Sequence, residues 1–495
     1  MKVFNTLSGR KEEFAPQSDT VTMYVCGVTV YDNCHIGHAM SYVIFDAIKR
    51  YLEFTGYKVR HVQNFTDIDD KIINRAQQLG ISAKDLAEKY IEEYFEDMEA
   101  LNIKRADIYP KATEEISKII DLIKALIAND YAYESKGSVY FRVNNFSEYG
   151  KLSHQNRGEM LSKASDTEEK ESPLDFALWK ASKEGEPYWT SHWGHGRPGW
   201  HIECSAMSLK YLGNTIDIHG GGQDLIFPHH ENEITQSESF TGKVPFVKYW
   251  LHNGLLQLSG DKMSKSLGNL VTIKETLQRF SPDAIRLFIL SSHYRSPLTY
   301  SQENVEAAET GIRRLRQAAA NNAIEKPSGI ILDSEPFKTR FLESMDDDFN
   351  TAQAIGTLFD LAREINRVGE ERINTGKAQQ TLTELSAVLG FTLEEQTRPP
   401  LDAEPFIKLL EAISNDSLQV MQWQSELAAN INHASQATTE QATQAETIVE
   451  LLVKLRNKLR QVKQWQLADT IRNKLSELGI TLEDKAHDTR WYRSR

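Results

Sequence analysis

In the N-terminal part of the chain, the spacing of apolar residues changes from that of a strand to that of a helix and back again. Val21 to Val25 is a short apolar run typical of a buried strand, and residues 39–54 repeat apolar side chains at helical spacing before Gly56. Residues 58–64 again have the pattern of a strand. This strand, helix, strand order predicts the opening of a parallel α/β domain, whose ligands bind at the carboxyl ends of its strands.

Farther along, the pattern predicts an insertion and then a second α/β run. Residues 83–130 have helical spacing, whereas residues 144–187 are polar and interrupted, which predicts a surface loop within an insertion. The α/β pattern resumes with a strand at residues 215–219, a loop of three glycines at residues 220–222 and a helix opened by Pro228.

The remainder is predicted to be mostly helical. Helical spacing after Gly268 recurs over residues 283–290, 305–319 and 352–368, which favours an α-helical bundle. Residues 396–446 are less regular and indicate a linker or weak helices. Two helices, the first of them basic, and a short strand at residues 480–482 are expected at the end.

Composition narrows the class of protein. With 40% hydrophobic and 26% charged residues among 495, the chain resembles a soluble globular protein of about three domains. The first residues lack the apolar core of a signal peptide, and no stretch approaches the roughly 20 apolar residues of a membrane span, so we expect a cytoplasmic protein. Three scattered cysteines, Cys26, Cys34 and Cys204, favour reduced thiols or metal ligands over a disulfide framework.

Charge is distributed unevenly. The formal charge of −13 argues against a protein that coats nucleic acid indiscriminately. Residues 451–475 differ, because they hold seven Lys and Arg residues against Asp469 alone, a net +6. We expect this C-terminal region to grip RNA phosphates and Trp491 to stack on an unpaired base. A solvated helix with a packed tryptophan is the alternative.

Two short motifs indicate nucleotide chemistry. His35-Ile-Gly-His38 follows the first strand, where a helix amino end and two imidazoles can stabilise charge on the α-phosphate of ATP. Taken alone, this motif is weak evidence for ATP binding, since nucleotidylyltransferases use similar motifs. Two histidines with satisfied hydrogen bonds and no function are the alternative. Lys262-Met-Ser-Lys-Ser266 is more specific, because two lysines on a glycine-flanked loop can clamp a triphosphate. A solvated basic loop becomes a poor explanation once both motifs occur in this order.

The two motifs resemble the HIGH and KMSKS signatures of class I aminoacyl-tRNA synthetases. Three further stretches narrow the resemblance to the cysteinyl-tRNA synthetase family: Phe65-Thr-Asp-Ile-Asp-Asp-Lys-Ile72, Arg197-Pro-Gly-Trp-His-Ile-Glu-Cys-Ser-Ala-Met207, and His219-Gly-Gly-Gly-Gln-Asp224 with Phe227-Pro-His-His-Glu-Asn-Glu233. The resemblance runs to about Ser301 and continues weakly through Asp346-Asp-Asp-Phe-Asn-Thr351 and the end of the chain.

The resemblance implies a domain order. It implies an α/β protein with a split Rossmann catalytic domain and an inserted connective domain, followed by a helical bundle and a small C-terminal α+β tRNA-binding domain. The boundaries we predict are residues 1–115 and 199–303 for the two catalytic halves, 116–198 for the insertion, 304–395 for the bundle, 396–446 for the linker or weak helices, and 447–495 for the anticodon-binding region.

Ligand types favour a zinc site independently of the family. Cys26, Cys204, His229 and Glu233 are all usual zinc ligands, and the last two, four residues apart, share a helix face. Two ordinary buried cysteines explain the residues equally well, because the spacing forms no paired motif. The four positions match the zinc ligands of the family one by one. Such a zinc, one per chain, would select cysteine by its thiol, since size alone separates it from serine by only about 1 to 3 kcal/mol.

The resemblance also assigns the pocket and the reaction. It implies that Thr66, Trp200 and Asp224 line the amino-acid pocket, against the alternatives of a helix cap, a core aromatic and a turn residue. We interpret the cluster of Asp67, Asp69 and Asp70 as a capped helix start rather than a magnesium site. Cys34 is expected to pack in the protein interior. His35, Gly37, His38 and Lys265 would bind ATP; the two histidines with Lys262 and Lys265 would stabilise the reacting phosphates.

The implied activity is ATP-dependent and magnesium-assisted activation of L-cysteine, followed by its transfer to the 3′ end of tRNA(Cys) by a monomer. One alternative is a ligase that joins activated cysteine to an aminosugar, as the mycothiol ligases do. The 229 residues after Ser266, with their basic segment, favour a tRNA acceptor. The other alternative is a zinc and RNA-binding paralogue without activity, which the retained histidines, lysines and ligand candidates disfavour.

Overall fold

A computed structural model describes most of the chain. The described residues are 1–161, 169–258, 271–320, 330–369, 373–394, 402–415, 441–484 and 489–493. They form two compact units. The first comprises Met1–Ile273 and Phe280–Glu394, and the second comprises Lys274–Arg279 and Glu395–Arg495.

The first unit opens with a hairpin and an α/β segment. Its elements are β1 (Lys2–Asn5), β2 (Arg10–Glu13), β3 (Thr20–Val25), α1 (Ile36–Phe54), β4 (Lys58–Gln63), α2 (Asp70–Leu79), α3 (Ala83–Ala100) and α4 (Ile116–Ala128). Helix α1 ends just before Gly56, whose φ of 100° is easy only for glycine. The predicted strand, helix, strand order is confirmed.

Two details of this segment follow from local chemistry. Asp69 caps α2 by accepting hydrogen bonds from two backbone N–H groups of its first turn, so the expected capped helix start is confirmed. The helical pattern expected over residues 83–130 is confirmed in part: left-handed Asn102 ends α3, and helix resumes only with α4 at Ile116. The chain then runs extended beside β4, where Gln63 N–H donates to Ile108 O over 3.1 Å.

An antiparallel sheet interrupts the α/β core. It is built from β5 (Ala132–Ser135), β6 (Ser138–Phe141), β7 (Phe176–Ala181), β8 (Trp189–Ser191) and β9 (Gly194–Pro198) in the order β5-β6-β7-β9-β8, with the short helix α5 (Arg157–Leu161) between β6 and β7. The surface loop expected over residues 144–187 is therefore wrong in part, since β7 is a central strand whose Trp179 is buried.

The α/β core resumes after the insertion. It adds α6 (Trp200–Leu212), β10 (Ile216–Gly222), α7 (Glu231–Thr241) and β11 (Val247–Asn253), which complete a parallel sheet in the order β11-β10-β3-β4. In β3, Val25 pairs with Gly220 on one side and with Gln63 on the other, so the carboxyl ends of three strands meet at one edge. The expected α/β fold class is confirmed.

Near β10, one prediction is wrong and one is confirmed. Gly220 to Gly222 continue the strand instead of forming a loop, and a Cβ on Gly220 would lie 2.2 Å from the Phe45 ring of α1. Glycine thus serves close helix packing there. The prediction that Pro228 opens a helix is confirmed: within the irregular turn Ile226–His230 the non-helical residue is Phe227, directly before Pro228, and helical backbone continues from there into α7, which begins at Glu231.

Helices dominate the rest of the chain. The elements are β12 (Leu256–Leu258), α8 (Ile273–Arg279), α9 (Pro282–Leu290), β13 (Leu298–Tyr300), α10 (Gln302–Ala320), α11 (Glu335–Asp346), α12 (Thr351–Gly369), α13 (Gly376–Val388), α14 (Glu404–Asn415), α15 (Gln441–Gln461), α16 (Trp465–Glu477), β14 (Ile480–Asp484) and β15 (Thr489–Arg493). Helices α9 to α13 confirm the expected bundle. None of the helices in the described ranges combines the length and apolarity that a membrane crossing needs.

The second unit has a small core of its own. Helices α14, α15 and α16 pack with the antiparallel hairpin β14–β15, and its buried side chains include Leu452, Leu459, Ile471 and Leu482. Trp491 on β15 is partly buried against this cluster. The expected pair of helices followed by a strand is confirmed.

Candidate functional site

The four candidate zinc ligands meet below the edge where the parallel strands end. Single ligand atoms of Cys26, Cys204, His229 and Glu233 all lie within 4.8 Å of one another, and all four residues are buried. The two Sγ atoms are 3.8 Å apart, and His229 Nε2 lies 3.0 Å from Glu233 Oε1. The fold therefore collects two thiols, an imidazole and a carboxylate from distant parts of the sequence.

Different elements supply these side chains. Cys26 directly follows β3, where its N–H donates to Gly220 O of β10 over 3.0 Å. Cys204 lies one turn into α6, with its Sγ 3.7 Å from Asn64 Oδ1 beyond the end of β4. His229 belongs to the irregular turn before α7, and Glu233 lies in the first turn of that helix. The cluster thus depends on the packing of α6 and α7 against the sheet.

A second candidate ligand set overlaps the first. Cys26 and Glu233 also group with His219 and His230, again with ligand atoms within 4.8 Å. Cys26 Sγ lies 3.2 Å from His230 Nε2 and 3.6 Å from His219 Nε2. Sequence reasoning missed both histidines. The position of His219 near the carboxyl end of a central strand was a usable signal, because ligands of parallel sheets bind there.

The outer ring nitrogens of these histidines have polar neighbours. His230 Nδ1 lies 2.7 Å from His252 Nε2, whose own Nδ1 is 2.8 Å from Thr6 Oγ1. His229 Nδ1 lies 2.9 Å from His201 Nδ1. In each such pair one nitrogen must donate and the other accept, so these contacts fix ring orientation and tautomer, as outer partners of metal-binding histidines do.

The electrostatics of the cluster favour a bound cation. Burial raises the pKa of the Cys26 thiol and of Glu233 well above their ordinary values, and burial lowers the pKa of His219 and His230. Burial also acts to raise the pKa of Cys204, but the hydrogen bond from Cys26 and the interactions with His229 together lower this pKa to about 7.

Two buried atoms support the same conclusion. Within the described part of the chain, Glu233 Oε2 and His219 Nδ1 have no hydrogen-bond partner. Burying polar atoms without partners costs free energy. A bound divalent cation would offset this cost for the thiolates and the carboxylate together. The donor set of sulfur, imidazole and carboxylate fits zinc.

The three candidate pocket residues lie at different depths. Trp200 stacks on His229 with ring centroids 4.3 Å apart and is 40% exposed, so it is not a core aromatic. Thr66 is buried, and its hydroxyl donates to Glu203 Oε2 over 2.8 Å. Asp224 is exposed in a short turn, Gln223–Leu225, after β10. Trp200 thus contacts the ligand cluster, whereas Asp224 lies at the end of the strand beside it.

The histidine motif forms the amino end of α1. His35 is the N-cap, and its Nδ1 accepts a hydrogen bond of 3.1 Å from Gly37 N–H, while His38 Nδ1 accepts from His35 N–H over 3.3 Å. The two rings stack with centroids 3.7 Å apart. Both imidazoles are thereby held at a helix end whose dipole favours phosphate.

Lys262 and Lys265 lie outside the described residues. The chain that follows them is described, however, and it runs along the start of α1. Ile36 N–H donates to Val271 O and Ile273 N–H donates to Cys34 O, both over 3.0 Å. These bonds fix residues 271–273 beside the histidine motif. Cys34 itself is buried, as expected.

The basic segment near the C-terminus is less uniform than its sequence. Arg456 is buried and pairs with Asp484 through two short hydrogen bonds of 2.6 and 2.7 Å, and Arg460 pairs with the same carboxylate. In contrast, Lys454, Lys463 and Arg472 are exposed. Trp465 is 54% exposed at the start of α16. Part of the positive charge is therefore structural, while the exposed Trp465 ring lies 5.9 Å from the Arg460 guanidinium.

Profiles of known families match most of the chain. The catalytic domain of tRNA synthetases class I (C) matches residues 13–310, and the DALR domain matches residues 340–394. Among solved structures, methionyl-tRNA synthetase of Mycobacterium tuberculosis bound by methionyl-adenylate has a TM-score of 0.54 and 17% identity, covering 76% of this chain and 88% of its own. At that identity the likeness shows a shared fold alone, here the class I synthetase fold.

Curated relatives are much more similar. Cysteine–tRNA ligases from two strains of Dehalococcoides mccartyi are 53% and 52% identical to this chain over 495 residues. Each alignment covers 99% of this chain and 99% of the relative. The cysteine–tRNA ligase of Anoxybacillus flavithermus is 45% identical and covers 100% of this chain and 99% of its own. With such identity over its whole length, and with a class I catalytic domain over residues 13–310, the chain belongs to the cysteine–tRNA ligase family.

Proposed function

We propose that the protein uses ATP to activate L-cysteine as cysteinyl-adenylate and transfers the cysteinyl group to the 3′ end of tRNA(Cys). The observation that carries this proposal is the buried cluster of two thiols, an imidazole and a carboxylate at the strand ends of a chain in this family. The cysteine carboxylate attacks the α-phosphate of ATP, and pyrophosphate leaves with magnesium. A hydroxyl group at the 3′ end of the tRNA then attacks the carbonyl carbon of the adenylate, so that the cysteinyl group is transferred and AMP leaves.

We assign one zinc to Cys26, Cys204, His229 and Glu233. The overlapping set with His219 and His230 offers one thiol instead of two, and zinc in such mixed sites favours thiolates. When bound, zinc supplies affinity for the substrate thiolate that the hydroxyl of serine cannot match. His219 and His230 instead line the cluster and hold the rings and thiols in place.

The chain's own groups position ATP. His35 and His38, fixed at the amino end of α1, stabilise charge that develops on the α-phosphate, and the N–H group of Gly37 lies in the same turn. Lys262 and Lys265 hold the β- and γ-phosphates and the leaving pyrophosphate. No covalent enzyme intermediate is required, so positioning and electrostatic stabilisation supply the rate.

Trp200, Thr66 and Asp224 bind the amino acid in this proposal. Trp200 covers His229 on the exposed side of the cluster and closes the pocket over the substrate side chain. Thr66 offers a hydroxyl from the loop after β4. Asp224 supplies a carboxylate at the end of β10, where a cationic group of the substrate can bind.

The second unit binds tRNA in this proposal. Exposed Lys454, Lys463 and Arg472 contact phosphates, and the exposed ring of Trp465 in the same unit offers a face on which a base can stack. The sequence favoured Trp491 for stacking, but this tryptophan packs partly into the core of the unit. We therefore place the stacking contact at Trp465. An aminosugar acceptor would leave this surface without a role. A cytoplasmic location and a monomeric state stay predictions.

The decisive experiment is exchange of pyrophosphate into ATP with each amino acid in turn, followed by charging of tRNA transcripts. Cysteine should support exchange and serine almost none. The Lys265→Ala variant should slow exchange strongly and keep its zinc, since the loop and the thiol cluster are separate. Equal exchange with serine, or none with cysteine, would refute the proposal. Transfer to an aminosugar without charging of tRNA would favour the alternative acceptor.

A further inference from the structure

Glu203 is a buried carboxyl group that the proposed function has not used. It is 0% exposed on α6, one residue before Cys204 and one turn after Trp200. Its Oε2 accepts the hydrogen bond of 2.8 Å from Thr66, and its Oε1 has no hydrogen-bond partner in the part of the chain that the structure describes. A carboxyl group with so little compensation is costly to bury, which indicates a role beyond packing.

The partner of Glu203 has almost no freedom of its own. Thr66 is 2% exposed, and its backbone is fixed on both sides: its N–H donates to Val28 O, and its carbonyl accepts from Val30 N–H, each over 3.2 Å. The remaining variable is the direction of the hydroxyl hydrogen, and Glu203 determines it.

This direction decides what Thr66 can bind. A hydroxyl group has one hydrogen to donate and two lone pairs that accept. Because the hydrogen of Thr66 points to Glu203, only acceptor capacity remains for a ligand. Such a hydroxyl matches an ammonium group and cannot donate to a carboxylate.

The location of the pair suits the amino end of the substrate. Glu203 lies between Trp200 and Cys204 on α6, and Trp200 stacks on His229. A cysteine whose sulfur lies at the thiol cluster carries its ammonium group only a short chain away. The Thr66 hydroxyl bonds to this same helix, one residue before the candidate ligand Cys204.

We propose that Glu203 is a positioning residue that holds the Thr66 hydroxyl as an acceptor for the α-ammonium group of cysteine. This inference rests on the proposed function, because it requires cysteine to bind at the thiol cluster. It assigns recognition of the amino end to a residue pair from two segments, the loop after β4 and the first turns of α6. Glu203 acts through Thr66 and does not touch the substrate.

The test is a double-mutant cycle read by the KM for cysteine in pyrophosphate exchange. The Glu203→Met variant keeps most of the volume and removes the acceptor, whereas Thr66→Val keeps the shape and removes the hydroxyl. Each change should raise this KM by about 10- to 100-fold. The KM of the double variant should be no higher than that of the single variant with the higher KM. The Glu203→Gln variant should restore a KM near that of the unaltered protein, since its amide oxygen still accepts from Thr66.

A substrate analogue separates recognition from structure. 3-Mercaptopropionate has the thiol and carboxylate of cysteine without the ammonium group, so its inhibition constant should be unchanged in all four variants, as should the zinc content. Equal weakening of cysteine and this analogue, or additive losses in the double variant, would overturn the inference.

Two further outcomes are also decisive. If Glu203→Met does not fold, Thr66→Val can still overturn the inference, because the inference fails if this variant leaves the KM for cysteine unchanged or weakens the analogue equally. Absence of cysteine-dependent exchange in the unaltered protein would instead overturn the proposed function itself, and the inference with it.

Discussion

Replacing Trp465 by alanine tests the tRNA surface with little disturbance of the fold. The indole begins α16 with 54% of its surface exposed, and the Arg460 guanidinium lies 5.9 Å from its ring centroid. The core of the second unit is formed by other side chains, among them Leu459 and Ile471. Truncation of Trp465 should therefore remove a binding face and leave the hydrophobic cluster intact.

The expected size of the effect follows from this exposure. Exposed substitutions of this kind change the free energy of unfolding by about 0.5 kcal/mol or less. Stacking of one nucleobase on an aromatic side chain contributes about 1 to 3 kcal/mol. If Trp465 carries one stacked base, its loss should raise the KM for tRNA by about 5- to 150-fold at constant salt.

The assay compares two reactions of the same variant. Charging of tRNA should weaken in Trp465→Ala, while pyrophosphate exchange should be unchanged because cysteine activation needs no tRNA contact. The Trp465→Phe variant is the matched control and should keep much of the charging, since a phenyl ring still stacks. Trp491→Ala should instead lower the melting temperature, because this side chain packs against the core. Unchanged charging by Trp465→Ala would refute the placement of the base.

Three other predictions concern the metal and the stability of the first unit. The Cys204→Ser variant should lose most of its zinc and its cysteine affinity, whereas Cys34→Ser should retain both; metal analysis of the purified variants decides this. Arg286 is fully buried, and its guanidinium binds Asp46 at 2.6 Å and Leu389 O at 2.8 Å. Arg286→Met should reduce the free energy of unfolding by about 3 to 5 kcal/mol in urea titrations, and a loss below about 1 kcal/mol would contradict the role of this pair. Burial acts to raise the pKa of Asp46, but the arginine charges outweigh it and hold that pKa below its ordinary value. The stability it contributes is thus present above the unfolded-state pKa and lost as the pH falls, so acid unfolding of Asp46→Asn should depend less on pH than that of the unaltered protein.

Local patterns in the sequence sufficed for elements whose cause is local. The opening strand, the helix that ends before Gly56 and the cap of α2 by Asp69 each depend on neighbouring residues, and the structure has all three. The histidine and lysine motifs indicated nucleotide chemistry for the same reason, since each carries its groups within a few residues. The types of the four candidate zinc ligands were also readable, although no short spacing joins them.

What the sequence left undecided depends on contacts between distant segments. Gly220 to Gly222 have the composition of a loop, yet they form a strand because they pair with β11, and Phe45 of α1 packs where a side chain on Gly220 would be. His219 and His230 reach Cys26 only when β10 and α7 pack against β3.

Glu203 and Arg456 make the same point for charged groups. Glu203 has the pattern of an ordinary acidic residue in a first helical turn, and its bond to Thr66, 137 positions away, exists only in the folded chain. Arg456 counts as a phosphate-binding cation in the sequence, but Asp484 neutralises it. Charge and residue type are properties of the sequence, whereas burial and partner choice arise only when the elements pack.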